Sequence, residues 1–461
     1  MAGSLLLAVA LLALGVWLLK SASRPKATIE VVPPAAPDTF LVLIAPFRHD
    51  GGEVYDFGAE LANDLQQQAV SELFQVQMLA AQPAEEVIPE LAASSRARAI
   101  ITGIYDENSI EAQLYFIPPD TLPVAGPESD GRALLMPDLT PTHYTLYAPR
   151  GLGHPLQYLQ NWLLGQHAFW QGNYDAAMDA LTMARHLLPT VIPVAQRTHM
   201  DHFAASILWS LGYIQGPVRH DWPAARGFFY QAMSLQSDAL PAILGLAAAR
   251  AQLHDAPGAQ ALLQNALRQH PQEWQIHFAL AEIKAQQGNT QEARVLFEQA
   301  IDLLSGADTP AAQQALADVY FNRGYFFYQQ EDYESALADY QQAQALGRAD
   351  LYLLSNLGWT AYLLGDYETA LTASTQAAAL APQRPELGFN KALHLLAAGR
   401  YDEADAAYDA AIQLTLKNDD VLTRSTYFGV AYQDLADLAQ KRPDLQSKIT
   451  ELQSRIDIAN G

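Results

Sequence analysis

Residues 351–418 read LYLLSNLGWTAYLLGDYETALTASTQAAALAPQRPELGFNKALHLLAAGRYDEADAAYDAAIQLTLKN, and the reading of this stretch decides the fold. Gly365-Asp366-Tyr367 is followed by Ala370, Ala377 and Pro382, a turn-and-helix pattern that recurs along the chain. Ala336, Ala370 and Ala404 are 34 residues apart, as are Ala225, Ala259 and Ala293, and the companions Ala343, Ala377 and Ala411 keep the same period. A fixed period of this size marks one supersecondary unit stacked on copies of itself.

The pattern has a packing cause. Two helices of a unit cross closely where alanine sits, so a larger side chain at Ala370 or Ala404 overpacks the contact. Gly324 and Gly358 serve the same end on the first helix, Tyr333, Tyr367 and Tyr401 begin second helices and fill the gap between units, and Pro189, Pro271 and Pro382 stop second helices. Units fall at 158–191, 206–239, 240–273, 274–307, 317–350, 351–384 and 385–418. Two spacings break the period. Ala177 to Ala225 is 48, an insertion of 14 around Thr190–Phe203, and Ala293 to Ala336 is 43, an insertion of nine near Ser305–Pro310; both are expected as loops. The turns at Asp221-Trp222-Pro223 and His254-Asp255-Ala256 depart most from the pattern. Residues 419–461, with Val421–Gln440 and Asp444–Ile458 as amphipathic helices, read as the solvating cap that a stack of repeats requires.

Outward from the repeat, composition sets limits. The 461 residues are half hydrophobic, 17% charged and 10% aromatic, which suits an extensive core rather than disorder. Against 27 Lys and Arg stand 50 Asp and Glu, a net charge of −23 that argues against general binding to phosphate backbones. The chain has no cysteine, hence no disulfide, thiolate nucleophile or cysteine-based metal site.

At the amino end Ala2–Leu19 is an unbroken uncharged run that as a helix would span roughly 27 Å, close to a hydrocarbon core. It reads as a transmembrane anchor over 1–20. The rival is a cleavable secretory signal, with Ser21-Ala22-Ser23 as the cleavage site, but no Lys or Arg precedes the run. Lys20, Arg24 and Lys26 follow it, which favours a cytoplasmic body, an extracytoplasmic one being the alternative. Pro25, Pro33, Pro34 and Pro37 make residues 21–37 a proline-rich spacer.

Residues 38–120 alternate strand and helix: strands at Thr39–Pro46, Phe74–Leu79, Ala97–Tyr105 and Ile110–Ile117, helices at Phe57–Phe74 and Ala84–Ser94. This is a small α/β domain. The prolines and glycines of 121–157 read as an irregular linker. Chemistry-bearing clusters are sparse. Gly51-Gly52 lacks the spacing and the Lys of a phosphate loop, His49, Asp50 and Glu53 have no second histidine nearby, and His199 and His202 have no third ligand. No nucleophile, base and orienter set is evident, so no enzyme, cofactor or metal is expected.

The 34-residue period with Gly-Asp-Tyr at the helix–helix turn resembles the tetratricopeptide repeat family over residues 158–418. Pro46-Phe47 after the first strand and Thr102-Gly103 within a later one resemble the amino-terminal α/β domain of TolB. The resemblance implies a mainly α fold: an α-solenoid of about seven helix pairs, preceded by the α/β domain and the transmembrane helix. Members of the repeat family hold peptides on a concave face built by first helices. Counted in the family phase, the groove positions are Phe321, Tyr325, Tyr328, Tyr352, Trp359 and Tyr362, with Asn322, Asn356 and Asn390 at position six. An amide can donate to and accept from a peptide backbone at once. The other reading of these residues is packing against a neighbouring helix or the amino-terminal domain. Trp162, Phe169 and Trp170 are expected to pack against the linker and α/β segment. The paired Lys and Arg with which some relatives clamp a terminal carboxylate are missing, which disfavours a carboxylate-terminated partner. The function implied is a membrane-anchored scaffold for a peptide or partner protein. Its alternative is a sensor or assembly subunit whose α/β domain binds a small ligand or envelope component.

Overall fold

The computed structural model describes residues 31–49, 56–68, 72–118, 142–150, 155–306 and 309–460. The expected anchor at 1–20, the charges behind it, Asp50, Glu53 and most of the 121–157 segment lie outside the described residues. Among the described residues no helix is long and apolar enough to cross a membrane. The chain divides into two compact units, the second beginning at Leu246.

In the first unit a sheet is built from β1 (Phe40–Ile44), β2 (Arg48–His49), β3 (Phe74–Met78), β4 (Ala97–Tyr105), β5 (Ser109–Phe116) and β6 (Thr142–Pro149). Strand order is β3-β1-β4-β5-β6, with β2 pairing β4 beyond the end of β1. β3 and β4 run parallel to β1, and β5 and β6 continue antiparallel. Parallel pairs need crossovers, which α1 (Phe57–Gln68) and α2 (Ile88–Ser95) supply. β1 is buried at every residue, as its unalternating FLVLI run requires.

The two short motifs of the TolB resemblance meet in space. A Cβ on Gly103 would lie 2.4 Å from the Phe47 ring, so only glycine fits there. Val32 and Ala35, placed by sequence in the proline-rich spacer, are instead buried in the core with Leu41, Leu43, Ile88 and Leu91. The Ala35 N–H donates to the Ser95 carbonyl at 2.9 Å. Residues 142–149 correct the expected irregular linker. They form β6, in which Tyr144, Leu146 and Ala148 are buried and alternate with half-buried residues, and β6 pairs with β5 from Thr142 against Phe116 to Pro149 against Ser109.

The sheet is joined in this unit by α3 (Gln157–Trp170), α4 (Tyr174–His186), α5 (Val194–Tyr213) and α6 (Trp222–Leu235). The 14-residue insertion is not a loop: most of it lengthens α5, which begins at Val194 instead of near 206. The added turns cover the outer edge of β6. Met200 Sδ accepts from the Tyr147 N–H at 3.2 Å, and the Tyr158 hydroxyl donates to the Tyr147 carbonyl at 3.1 Å. Both main-chain groups that an edge strand would expose there are thus satisfied. Trp162 packs as expected on the sheet, 5.0 Å from Phe116 and 5.9 Å from Tyr144 between ring centres. Phe169 packs among repeat helices instead, on Tyr213 at 5.4 Å, with Trp170 beside it.

The second unit continues with the rest of α7 (Leu240–Gln252), α8 (Ala256–Gln269), α9 (Trp274–Gln286), α10 (Thr290–Leu304), α11 (Pro310–Gln329), α12 (Tyr333–Ala345), α13 (Leu351–Leu363), α14 (Tyr367–Leu380), α15 (Pro385–Ala397), α16 (Tyr401–Leu416), α17 (Val421–Lys441) and α18 (Gln446–Asn460). The crossing alanines Ala259, Ala293, Ala336, Ala370 and Ala404 are fully buried, as their period predicts. Tyr401 is 44% exposed and does not fill a gap between units. The nine-residue insertion also feeds a helix: α11 starts at Pro310, where the Thr309 hydroxyl accepts from the Ala312 N–H at 3.2 Å. α18 closes the stack by burying Ile449, Leu452 and Ile456.

Candidate functional site

The expected binding face lies in the second unit on first helices α11, α13 and α15. These helices are positioned by their caps and crossings. Asp350 caps α13, its carboxylate accepting from the Tyr352 and Leu353 N–H groups at 2.9 and 3.0 Å. Gly324 is required on α11 because a Cβ there would lie 2.9 Å from the Tyr340 ring.

Tyr325 is 46% exposed, and Phe321, Tyr328, Tyr352 and Trp359 are half-buried. Phe321 lies under the Arg348 guanidinium, 3.8 Å from the ring centre. Tyr328 packs on Tyr333 at 5.6 Å. Burial pushes its hydroxyl pKa up, while the Trp359 indole beside it works the other way. Tyr362 is the exception. It is 2% exposed, stacked on His394 at 5.2 Å and covered by Lys441 of α17, whose ammonium sits 4.9 Å from the ring centre. Tyr362 is therefore core rather than an open groove position. The cause is length: α17 has 21 residues where α13 and α15 have 13, and its last residue is the one that meets Tyr362.

The three asparagines are not equivalent. Asn322 donates to the Asp318 carbonyl of its own helix at 2.7 Å. The Asn356 amide lies beside the buried Tyr340 hydroxyl, which has no hydrogen-bond partner among the described residues. Asn390 is half-buried.

Charges around this face are locally neutralised. Arg323 grips both carboxylate oxygens of Asp339 at 2.7 and 2.8 Å. Burial raises the Asp339 pKa, and Arg323 opposes the rise. Arg348 bridges Asp318 at 2.8 Å and Asp350 at 2.5 Å. Burial still pushes the Asp318 carboxyl up to about 6. One group escaped sequence reasoning altogether. Glu282 on α9 has its carboxyl pushed up to about 7 by burial. The signal was available, because Glu282 falls at the repeat position of Tyr325 once the nine inserted residues are counted.

Elsewhere, His202 packs edge-on against Tyr144 at 5.2 Å while His199 is exposed. His49 packs against Tyr105 at 4.6 Å. No group of three side chains suited to a metal occurs among the described residues.

Two tetratricopeptide repeat family models match the chain, one over residues 244–312 and 355–419 and the other over 317–348. No curated relative matches. Among solved structures, the chain is similar to YrrB, described as a TPR protein with an unusual peptide-binding site, at 17% identity. That match covers 43% of this chain and 96% of YrrB with a TM-score of 0.33. MamA matches at 17% identity over 37% of this chain and 95% of its own, with a TM-score of 0.32. A tetratricopeptide repeat protein from Parabacteroides merdae matches at 14% identity over 58% of this chain and 96% of its own, with a TM-score of 0.36. Tetratricopeptide repeats generally mediate protein–protein interaction, and the resemblance drawn from the 34-residue period is met by residues 244–419, which are repeats of the tetratricopeptide family.

Proposed function

We propose that the chain is a membrane-anchored interaction scaffold whose repeat region holds a peptide or partner protein against its first helices, α11 and α13 foremost. The observation that carries this reading is the set of aromatic side chains left accessible there, Tyr325 foremost, with Phe321, Tyr328, Tyr352 and Trp359 half-buried beside it. Aromatic residues of this kind supply most of the binding energy where proteins meet. The proposed anchor is Ala2–Leu19, with Lys20, Arg24 and Lys26 favouring a cytoplasmic body.

The reading is tested by quantitative co-purification with the full chain in its native membrane, wild type against Tyr325→Ala with Trp359→Ala. Loss of a defined partner set by about tenfold is expected, since removing an aromatic anchor costs more than about 1 kcal/mol. Indistinguishable partner sets would overturn it. A reporter fused at the carboxyl end, active only in the cytoplasm, checks the topology, and silence of that reporter would place the body on the other side.

A further inference from the structure

Glu282, Tyr325 and Trp359 hold the same repeat position on α9, α11 and α13, with intervals of 43 and 34 residues. The three helices share one core through Phe278, Val319, Phe326, Leu353 and Leu357. Equivalent residues on these successive first helices therefore face the same side of the stack. The row runs carboxyl, phenol, indole.

Its charge is one-sided. Lys284 and Arg323 are the only Lys or Arg on these three helices, and both are engaged, Lys284 with Glu292 at 2.8 Å and Arg323 with Asp339. Arg348, stacked over Phe321, is held by Asp318 and Asp350. Glu282 is half-buried, with neither an ion pair nor a hydrogen bond among the described residues, and burial is the sole cause of its raised pKa. A shielded carboxylate without a counter-charge gains when a ligand brings a cation to it. The faces of tyrosine and indole rings attract the same cation.

We infer that the row Glu282, Tyr325, Trp359 docks a protein segment through a Lys or Arg side chain flanked by apolar residues. This rests on the reading that the first-helix face of the second unit binds peptides, and it adds the chemistry of the occupant. An acidic segment meets no unpaired Lys or Arg on these helices, and the −23 charge of the chain repels it.

The test is selection of random peptides of about 12 residues, long enough to span three helices, on the immobilised full-length chain. Parallel selections use Trp359→Ala, Tyr325→Ala, Glu282→Gln and the distant control Asp402→Asn. Tyr325 is nearly half exposed and lies outside the buried core, so its variant tests the face with little disturbance of the core. Peptides enriched about fivefold or more on wild type over both aromatic variants are expected, a ratio matching one lost cation–π contact. They should carry Lys or Arg at a fixed place, a preference that vanishes with Glu282→Gln and persists with Asp402→Asn. Aromatic-dependent peptides without a basic residue, or a basic preference indifferent to Glu282→Gln, would sink the inference and leave the peptide-binding reading standing. No aromatic-dependent peptide at all would sink both.

Discussion

Each turn between the two helices of a repeat needs one residue in the left-handed region, just before the residue that caps the second helix. Gly172, Gly288, Gly365 and Gly399 fill that place with φ of 73° to 80°, but His220, His254 and Glu331 fill it at φ 58°, 62° and 59°. After all three non-glycine turns the following aspartate caps the helix, Asp221, Asp255 and Asp332 accepting from Ala224, Gly258 and Ser335, as Asp366 does from Thr369 after Gly365, whereas Asn289 and Arg400 make no side-chain cap bond. The turns that looked most divergent in sequence thus keep the geometry of the rest. A side chain in this region costs about 1–2 kcal/mol, which glycine avoids. Glu331→Gly should therefore stabilise the second unit by roughly 0.5–1 kcal/mol, and Gly365→Ala should destabilise it by about 1 kcal/mol. Denaturant midpoints of the two variants check this, and equal midpoints would show that the strain is relieved elsewhere. His394 makes a second case. It is 1% exposed, its Nδ1–H donates to the Ala370 carbonyl at 3.1 Å, and burial pushes its pKa down to about 4. The unfolded chain, with an ordinary histidine near 6.5, binds the proton first, so this contribution is complete above pH ~6.5 and is lost as pH falls toward ~4. The loss amounts to about 3 kcal/mol. His394→Phe should show a stability drop between those pH values smaller than that of wild type by about this amount, read from denaturant melts at each pH. Parallel pH profiles would refute the assignment.

Among elements, α5 does work that the repeat pattern alone does not predict. Its extra turns carry Met200, His202 and Phe203 onto β6, and Phe203 is fully buried against Tyr144, Tyr158 and Trp162 at 5.5, 5.8 and 5.3 Å. Gln196 adds a hydrogen bond to Glu111 of β5 at 3.1 Å. Phe203→Ala should cost about 3–5 kcal/mol, because the cavity it leaves cannot close between a sheet and a helix. Amide exchange of residues 142–149 should accelerate while that of α13 and α14 stays unchanged, and uniform acceleration along the chain would show that α5 is not a local clasp. The same region shows how legibility in sequence ran out. Crossing alanines were legible because a 34-residue period repeats one packing constraint many times. Strands β1, β3, β4 and β5 were legible as apolar or alternating runs. β6 alternates as well, through Tyr144, Leu146 and Ala148, but the prolines and glycines on either side hid so short a run. The insertion at Thr190–Phe203 has a single proline, Pro193, and Val194–Phe203 is free of glycine and proline, so its helicity was readable locally although it falls outside the 34-residue period. At the candidate site the aromatic row was legible by counting. The loss of Tyr362 to the core was not, because it depends on the length of α17, a tertiary fact with no mark at position 362.

At the scale of the molecule the charge acquires a second meaning. Several cations are held by acids, among them Lys448 by Asp405 at 2.6 Å and Arg442 by Asp444 at 2.6 Å, so those pairs leave little local imbalance. The excess of 50 acids over 27 bases is then carried by acids with no cation of their own, and their mutual repulsion opposes compactness. Exposed ion pairs contribute about 0–1 kcal/mol each and weaken with salt, whereas repulsion weakens as well. The two effects have opposite signs, and the imbalance of charge decides between them. Repulsion should win here, so raising ionic strength from about 0.01 M, with a Debye length of about 30 Å, to about 0.15 M, with about 8 Å, should raise the melting temperature. The same change should weaken any cationic segment seated near Glu282, because a partly shielded pair still loses its long-range attraction from the rest of the acidic surface. Melting the full chain with and without a selected basic peptide across this range separates the terms: the free protein should gain stability with salt while the increment due to the peptide shrinks. A melting temperature that falls with salt in the free protein would mean that the ion-pair network, and not the unpaired excess, governs its electrostatics.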